Sequence, residues 1–334
     1  MGLAIPPGKS AAYAYLTPAI AHGDDRDEGL DCEFFYGEEP AATARALASG
    51  ACQIACLNTI VGFLGRDEGL PVVAVGSKAR RTHRYFAVLP EGPITSLVDL
   101  KGKTMACDFS RLQTLAEAAL FEEGVTRSEF NWVPWRGSGM EARQMVAPLR
   151  RGEIDAIFLM DWNDGNFIAE GLPLRHLRSS LLERIRVSSC YWTTESTLKA
   201  QPEIIAHGIR AILRSVLFSF ENPEAAVRIM WERFPETRPS PAERTRILRR
   251  DIEVLKACLE PMRIDVRDPD PRWCAINHDE MAAWQTFLRR SGALRHIIEP
   301  AQLYSTALVD RCNEFKPELV RAAARTVANA AARC

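Results

Sequence analysis

The 334-residue chain has no apolar run near the ~18 residues that a membrane span needs. It carries almost no net charge, −1 from 42 Lys+Arg and 43 Asp+Glu. That balance gives no basic footprint for nucleic acid and none for an anionic membrane surface. The arginine pairs Arg80-Arg81, Arg150-Arg151, Arg249-Arg250 and Arg289-Arg290 are scattered, as solvated helix ends and loops are. No G-x-G-x-x-G, Walker A, H-E-x-x-H or G-x-S-x-G motif is present, and Gly137-Ser138-Gly139 lacks nucleophile-elbow spacing. There is no internal repeat and no low-complexity tract. Met1–Pro7 shows no basic n-region, apolar h-region or cleavage site. Proline at position 6 argues against myristoylation of the Met-Gly start.

The nine cysteines are odd in number and irregular in spacing. Several sit in apolar, strand-like runs, the usage of reduced and buried thiols. The nearest pair, Cys52 and Cys56, has no second pair at zinc-ribbon spacing, so no metal and no cofactor is expected. As it stands the sequence reads as cytoplasmic, or as periplasmic if a leader has been removed.

What is present is enough apolar residue, 47%, for two cores in a chain of two-domain length. The first 160 or so residues alternate strand and helix. Apolar runs at 3–5, 30–36, 52–58, 72–76, 85–89, 105–108, 130–135 and 156–161 read as strands, with helical patterns between most of them. This is the signature of α/β architecture with mainly parallel sheets. A further strand is expected over 187–193. From residue 200 on, helices are expected over 202–220, 223–234, 241–259, 278–291 and 317–332. Four of these start near a proline, where the missing N–H costs nothing.

The stretch Thr104-Met-Ala-Cys-Asp108-Phe-Ser110-Arg111-Leu-Gln113 reads as a strand ending at a new helix. Ser110 and Gln113 fit a capping box. Such a helix start can hold an anion, because free N–H groups and the dipole point outward.

The segments "DEGLDCEFFYGEEPAATARALASGACQIACLNT", "DEGLPVVAVGSKARRTHRYFAVLPEGPITSLVDLKGKTMACDF" and "LRRGEIDAIFLMDW", in this order, resemble the SsuA/THI5-like (NMT1-type) substrate-binding proteins. The resemblance spans roughly residues 1–235. It implies a two-lobed type II periplasmic-binding-protein fold with hinge-linked lobes and a helical C-terminal extension. Lobe 1 would be 1–88 plus 190–334 and lobe 2 would be 89–189, with crossings near Leu89 and Cys190. Ligand would sit at strand C-termini and helix N-termini.

The resemblance nominates Lys9, Ser10 and Tyr13 after the first strand, Gly37 and Glu38 after the second, and Asn58 and Thr59 after the third. Arg81 and His83 precede the crossing, and Asp108, Ser110 and Arg111 follow the 105–108 strand. Trp135, Arg136, Asp161 and Trp162 end the next two strands, and Trp192 lies on the return. The two aspartates favour a ligand with a donor part as well as an acidic one, the acidic part pairing with Arg81, Arg111 or Arg136.

Two functions follow from the resemblance. The first is a ligand-binding protein of the ABC-importer type, clamping a small polar or anionic organic molecule and meeting an ABC permease. The second is a cytoplasmic enzyme on the same fold, decarboxylase-, desulfinase- or pyrimidine-synthase-like, acting on a small organic acid. If it is an enzyme, Arg81 would hold the carboxylate and His83 would give the proton. The desulfinase pattern needs a cysteine after the first strand, where this chain has Lys9 and Ser10. The C-C-C-F-C motif of the pyrimidine synthases is also missing. Cys56 and Cys107 are the cysteines on strands aimed at the ligand edge.

Overall fold

The computed structural model describes residues 1–5, 9–36, 40–107, 113–134, 143–264, 268 and 270–331. The chain forms two compact units. The first comprises Met1–Arg80, Val187–Ala242 and Met262–Cys334; the second comprises Arg81–Arg186 and Glu243–Pro261.

The first unit is built on a sheet of order β2-β1-β3-β10-β4 among the described residues. Its strands are β1 (Gly2–Ile5), β2 (Glu33–Tyr36), β3 (Ile54–Asn58), β4 (Val72–Ala79) and β10 (Ser189–Thr194). β1 pairs in parallel with β2 and β3, while β10 runs antiparallel to both β3 and β4. β3 and β10 are buried almost end to end, as central strands covered on both faces must be. The long helix Pro202–Glu221 and the helix Pro223–Arg233 each carry proline at the start. Asn222 caps the second, its side-chain oxygen accepting from the Ala225 N–H at 3.1 Å.

The C-terminal residues cover an edge of this sheet. Ser77 of β4 donates its N–H to Cys274 O at 3.0 Å and its hydroxyl to Ala275 O at 2.6 Å. Ser305 N donates to Ala74 O at 2.8 Å. These bonds satisfy backbone groups that an exposed edge strand would leave open.

The second unit carries a sheet of order β7-β6-β8-β5-β9 among the described residues. Its strands are β5 (Arg84–Val88), β6 (Thr104–Cys107), β7 (Asn131–Val133), β8 (Ala156–Met160) and β9 (Arg175–Leu177). β6, β7 and β8 are parallel, and β5 is antiparallel to β8 and β9. Ala87, Ala106, Met145, Leu149, Ile157, Leu159 and Phe167 form one buried cluster.

The segment 243–261 was expected in lobe 1, yet its helix Arg244–Leu259 belongs to the second unit. It lies along the helix Asp161–Ala169, which the sequence reading did not anticipate. A Cβ on Gly165 would fall 2.6 Å from Val254 Cα and 2.7 Å from Glu253 O. Only a residue without a side chain lets these two backbones come so close. The chain therefore passes between units after residues 80, 186, 242 and 261, twice as often as the resemblance implied.

Candidate functional site

β1, β2, β3 and β4 all point their C-terminal ends to one edge of the first sheet. In open α/β sheets ligands collect at that edge. Lys9 is already engaged there: its ammonium meets Glu236 Oε1 at 2.5 Å and lies 5.6 Å from the Phe234 ring centre. Ser10 has its hydroxyl sealed from solvent and without a partner among the described residues. Its carbonyl accepts from the Tyr13 N–H at 2.9 Å. Asn58 ends β3 half-buried and makes no side-chain cap to the helix that follows.

Two of the nominated residues have interior roles. Thr59 is fully buried, its hydroxyl donating to Val187 O at 2.6 Å and its N–H to Ser188 O at 3.0 Å. It fastens the helix Thr59–Asp67 to the returning strand. Trp192 is also fully buried, and its indole lies against Gly62 of that helix. Alternation along β10 turns Trp192 to the helix-covered face. Trp192, expected as a ligand wall, packs against this helix inside the first unit.

Lys78, next to last in β4, was not nominated. Its ammonium donates to Tyr15 Oη at 3.0 Å and lies 5.2 Å from the Tyr15 ring centre. Tyr15 sits fully buried in the 3-10 helix Ala11–Leu16. Lys78 meets no carboxylate among the described residues, whereas Arg80, two residues on, faces Asp268 at 3.8 Å. In the run "GSKARRTHR", residues 76–84, nothing in the local sequence distinguishes one cation from the next.

In the second unit the ends of β6, β7 and β8 share an edge with the start of β5. His83 is buried there, its carbonyl accepting from the Asp161 N–H at 3.0 Å. Asp161 opens the helix Asp161–Ala169 and its Oδ1 accepts from the Trp162 N–H at 2.9 Å. A carboxylate at that end is favoured by the helix dipole. Trp162 is half-buried. Arg81 pairs with Glu260 at 3.4 Å and donates its backbone N–H to Pro261 O, tying the start of the second unit to its last segment. His83 and Asp161 are thus brought together through the backbone, and Arg81 is drawn to an acid. Next to them Tyr85 stacks on His176 at 4.2 Å, and His176 Nε2 lies 2.9 Å from Asp164 Oδ1. Gly37, Glu38, Asp108, Ser110, Arg111, Trp135 and Arg136 lie outside the described residues.

Two of the buried thiols, Cys56 and Cys190, are not activated as nucleophiles. Burial pushes Cys56 up to about 11 and Cys190 up to about 12. An activated cysteine needs the opposite shift. Among the described residues no group of acids, histidines and cysteines has the arrangement of a metal site. No described helix is long and apolar enough to cross a membrane.

Two α/β units, each with parallel strands ending at one sheet edge, are the architecture of the type II periplasmic-binding-protein fold. The periplasmic aliphatic sulphonate binding protein SsuA from Escherichia coli superposes with a TM-score of 0.64 at 16% identity, over 92% of each chain. By its match to the family model over residues 14–226, the chain belongs to the NMT1/THI5-like family. It is 25% identical over 234 residues to a formylaminopyrimidine-binding protein of Halalkalibacterium halodurans, covering 66% of each chain. It is 24% identical over 243 residues to a riboflavin-binding protein, RibY, of Chloroflexus aurantiacus, covering 67% of this chain and 63% of that one. The chain thus spans just under two thirds of the length of these curated relatives.

Proposed function

We propose that the protein is a ligand-binding protein of the ABC-importer substrate-binding type and takes a small polar or anionic organic molecule. Family membership carries this reading, together with two curated relatives that are named for what they bind rather than for a reaction. The strand-end groups Ser10, Tyr13, Asn58, His83, Asp161 and Trp162 are the proposed contacts. An ABC permease is the proposed partner, which puts the working protein on the outer side of the membrane. The cytoplasmic placement expected from the cysteines goes with the enzyme alternative. Raised thiols and an acid-paired Arg81 weigh against that alternative.

A thermal-shift screen with carboxylates, sulfonates, sulfinates and pyrimidines tests the proposal. A cleanly bound ligand stabilises by RT ln(1 + [L]/Kd), about 2.7 kcal/mol at a hundredfold excess over Kd. One chemical class should raise Tm and be recovered unchanged after incubation. No shift with any class, or consumption of the compound, would overturn the reading.

A further inference from the structure

We infer that Lys78, held by Tyr15 at the C-terminal edge of β4, is the anion-holding group of the first unit, and that the ligand carries a carboxylate or sulfonate. The inference rests on the ligand-binding reading and names the chemical class it takes.

An ammonium has three N–H donors. At Lys78 one goes to the Tyr15 hydroxyl, a neutral acceptor. The side chain is half-buried and meets no carboxylate among the described residues. Half-burying a cation without a counter-charge costs free energy that an anion would return.

Other cations of the first unit are handled differently. Arg66 meets Glu195, Arg80 meets Asp268 at 3.8 Å, Arg210 meets Glu28 at 2.5 Å and Arg214 meets Asp24 at 2.6 Å. The protein thus neutralises these cations of the same unit and leaves Lys78 with a phenol. Tyr15 is fully buried, so it fixes the position of the ammonium instead of following it. The place also fits, because ligands of open α/β sheets gather at this edge. A pre-positioned point charge with two donors unspent is suited to one acid group.

The test measures binding of benzoate, benzenesulfonate and methanesulfonate, and of benzamide, benzenesulfonamide and methanesulfonamide as their neutral counterparts. Calorimetry and thermal shift are run on the full chain and on Lys78→Met and Lys78→Arg. At least one anion should bind better than its amide. Lys78→Met should weaken that anion about 10- to 100-fold while leaving the amide within about threefold, as expected for loss of a charged hydrogen bond. Lys78→Arg should recover most of the affinity. A merely structural role would weaken acid and amide alike.

If anion affinity survives Lys78→Met, or if the full chain prefers the amides, the inference is overturned and the ligand-binding reading stands. If neither these probes nor the wider screen bind, both fall.

Discussion

Gly62→Ala offers a direct test of how the first unit is packed. A Cβ at Gly62 would lie 2.1, 2.3 and 2.4 Å from three atoms of the Trp192 indole, Cζ2, Cη2 and Cε2. Ordinary carbon–carbon contact is about 3.5–4.0 Å, so the methyl intrudes by roughly 1.5 Å. The indole is fully buried and cannot swing out to solvent. Overpacking of this kind costs about 1–3 kcal/mol. Replacing glycine by alanine inside a helix returns about 1 kcal/mol. With the ring fixed, the upper part of the range applies, and a net loss of about 2 kcal/mol is expected.

Trp192→Phe withdraws the ring atoms that the new methyl of Gly62→Ala would strike. It also removes an indole N–H that is buried and has no partner among the described residues, so no hydrogen bond is lost. In the Trp192→Phe background Gly62→Ala should be neutral or stabilising by up to about 1 kcal/mol. The coupling between the two sites is then about 2 kcal/mol or more. Urea unfolding followed by circular dichroism at 222 nm reads all four proteins without relying on tryptophan. Equal cost in both backgrounds would refute the packing argument. Ligand affinity unchanged within twofold in Trp192→Phe would separate packing from binding; a large loss would restore Trp192 to the ligand.

Gly165→Ala should destabilise the second unit by about 2 kcal/mol, because its methyl would meet the backbone of Val254 and Glu253 rather than a movable side chain; hydrogen exchange should rise over 244–259 and stay unchanged over 202–221. Arg210→Met should cost about 3 kcal/mol, measured by urea unfolding, since it leaves the half-buried Glu28, held by Arg210 Nε and Nη2 at 2.8 and 2.5 Å, without its main partner. Asp67 accepts from the backbone N–H groups of Arg295 and His296 and from both side chains, which together hold its carboxyl down to about 2 despite desolvation. Its folded pKa is lower than its unfolded one, so its stabilisation is full above about pH 4 and is lost as pH falls through about 2. The stability gap between wild type and Asp67→Asn should therefore shrink over that window, and a gap that stays constant would contradict it.

Much of the architecture could be read from local pattern. Buried strands such as Ile54–Asn58 and Ala156–Met160 are short apolar runs, and the helices Pro202–Glu221 and Pro223–Arg233 announce their starts with proline. The helix Asp161–Ala169 escaped because Asp-Trp-Asn-Asp-Gly-Asn is a string of turn formers. Docking on the helix Arg244–Leu259 overrides that preference, and Gly165 is the position that permits it. The allegiance of 243–261 escaped for a related reason: an amphipathic helix declares which face is apolar but not which partner will cover it.

The candidate site divides along the same line. By itself the sequence determined the alternation of strand and helix, the family, and the strand ends where polar residues gather, because these depend on residues close together in the chain. Tertiary structure alone decided what each side chain does there. It laid Trp192 on Gly62, set Thr59 to hold the returning strand, and gave Arg80 and Arg81 their carboxylates while leaving Lys78 with a phenol. In "GSKARRTHR" those three cations look alike. Only partners brought from Tyr15, Glu260 and Asp268, far off in the chain, tell them apart.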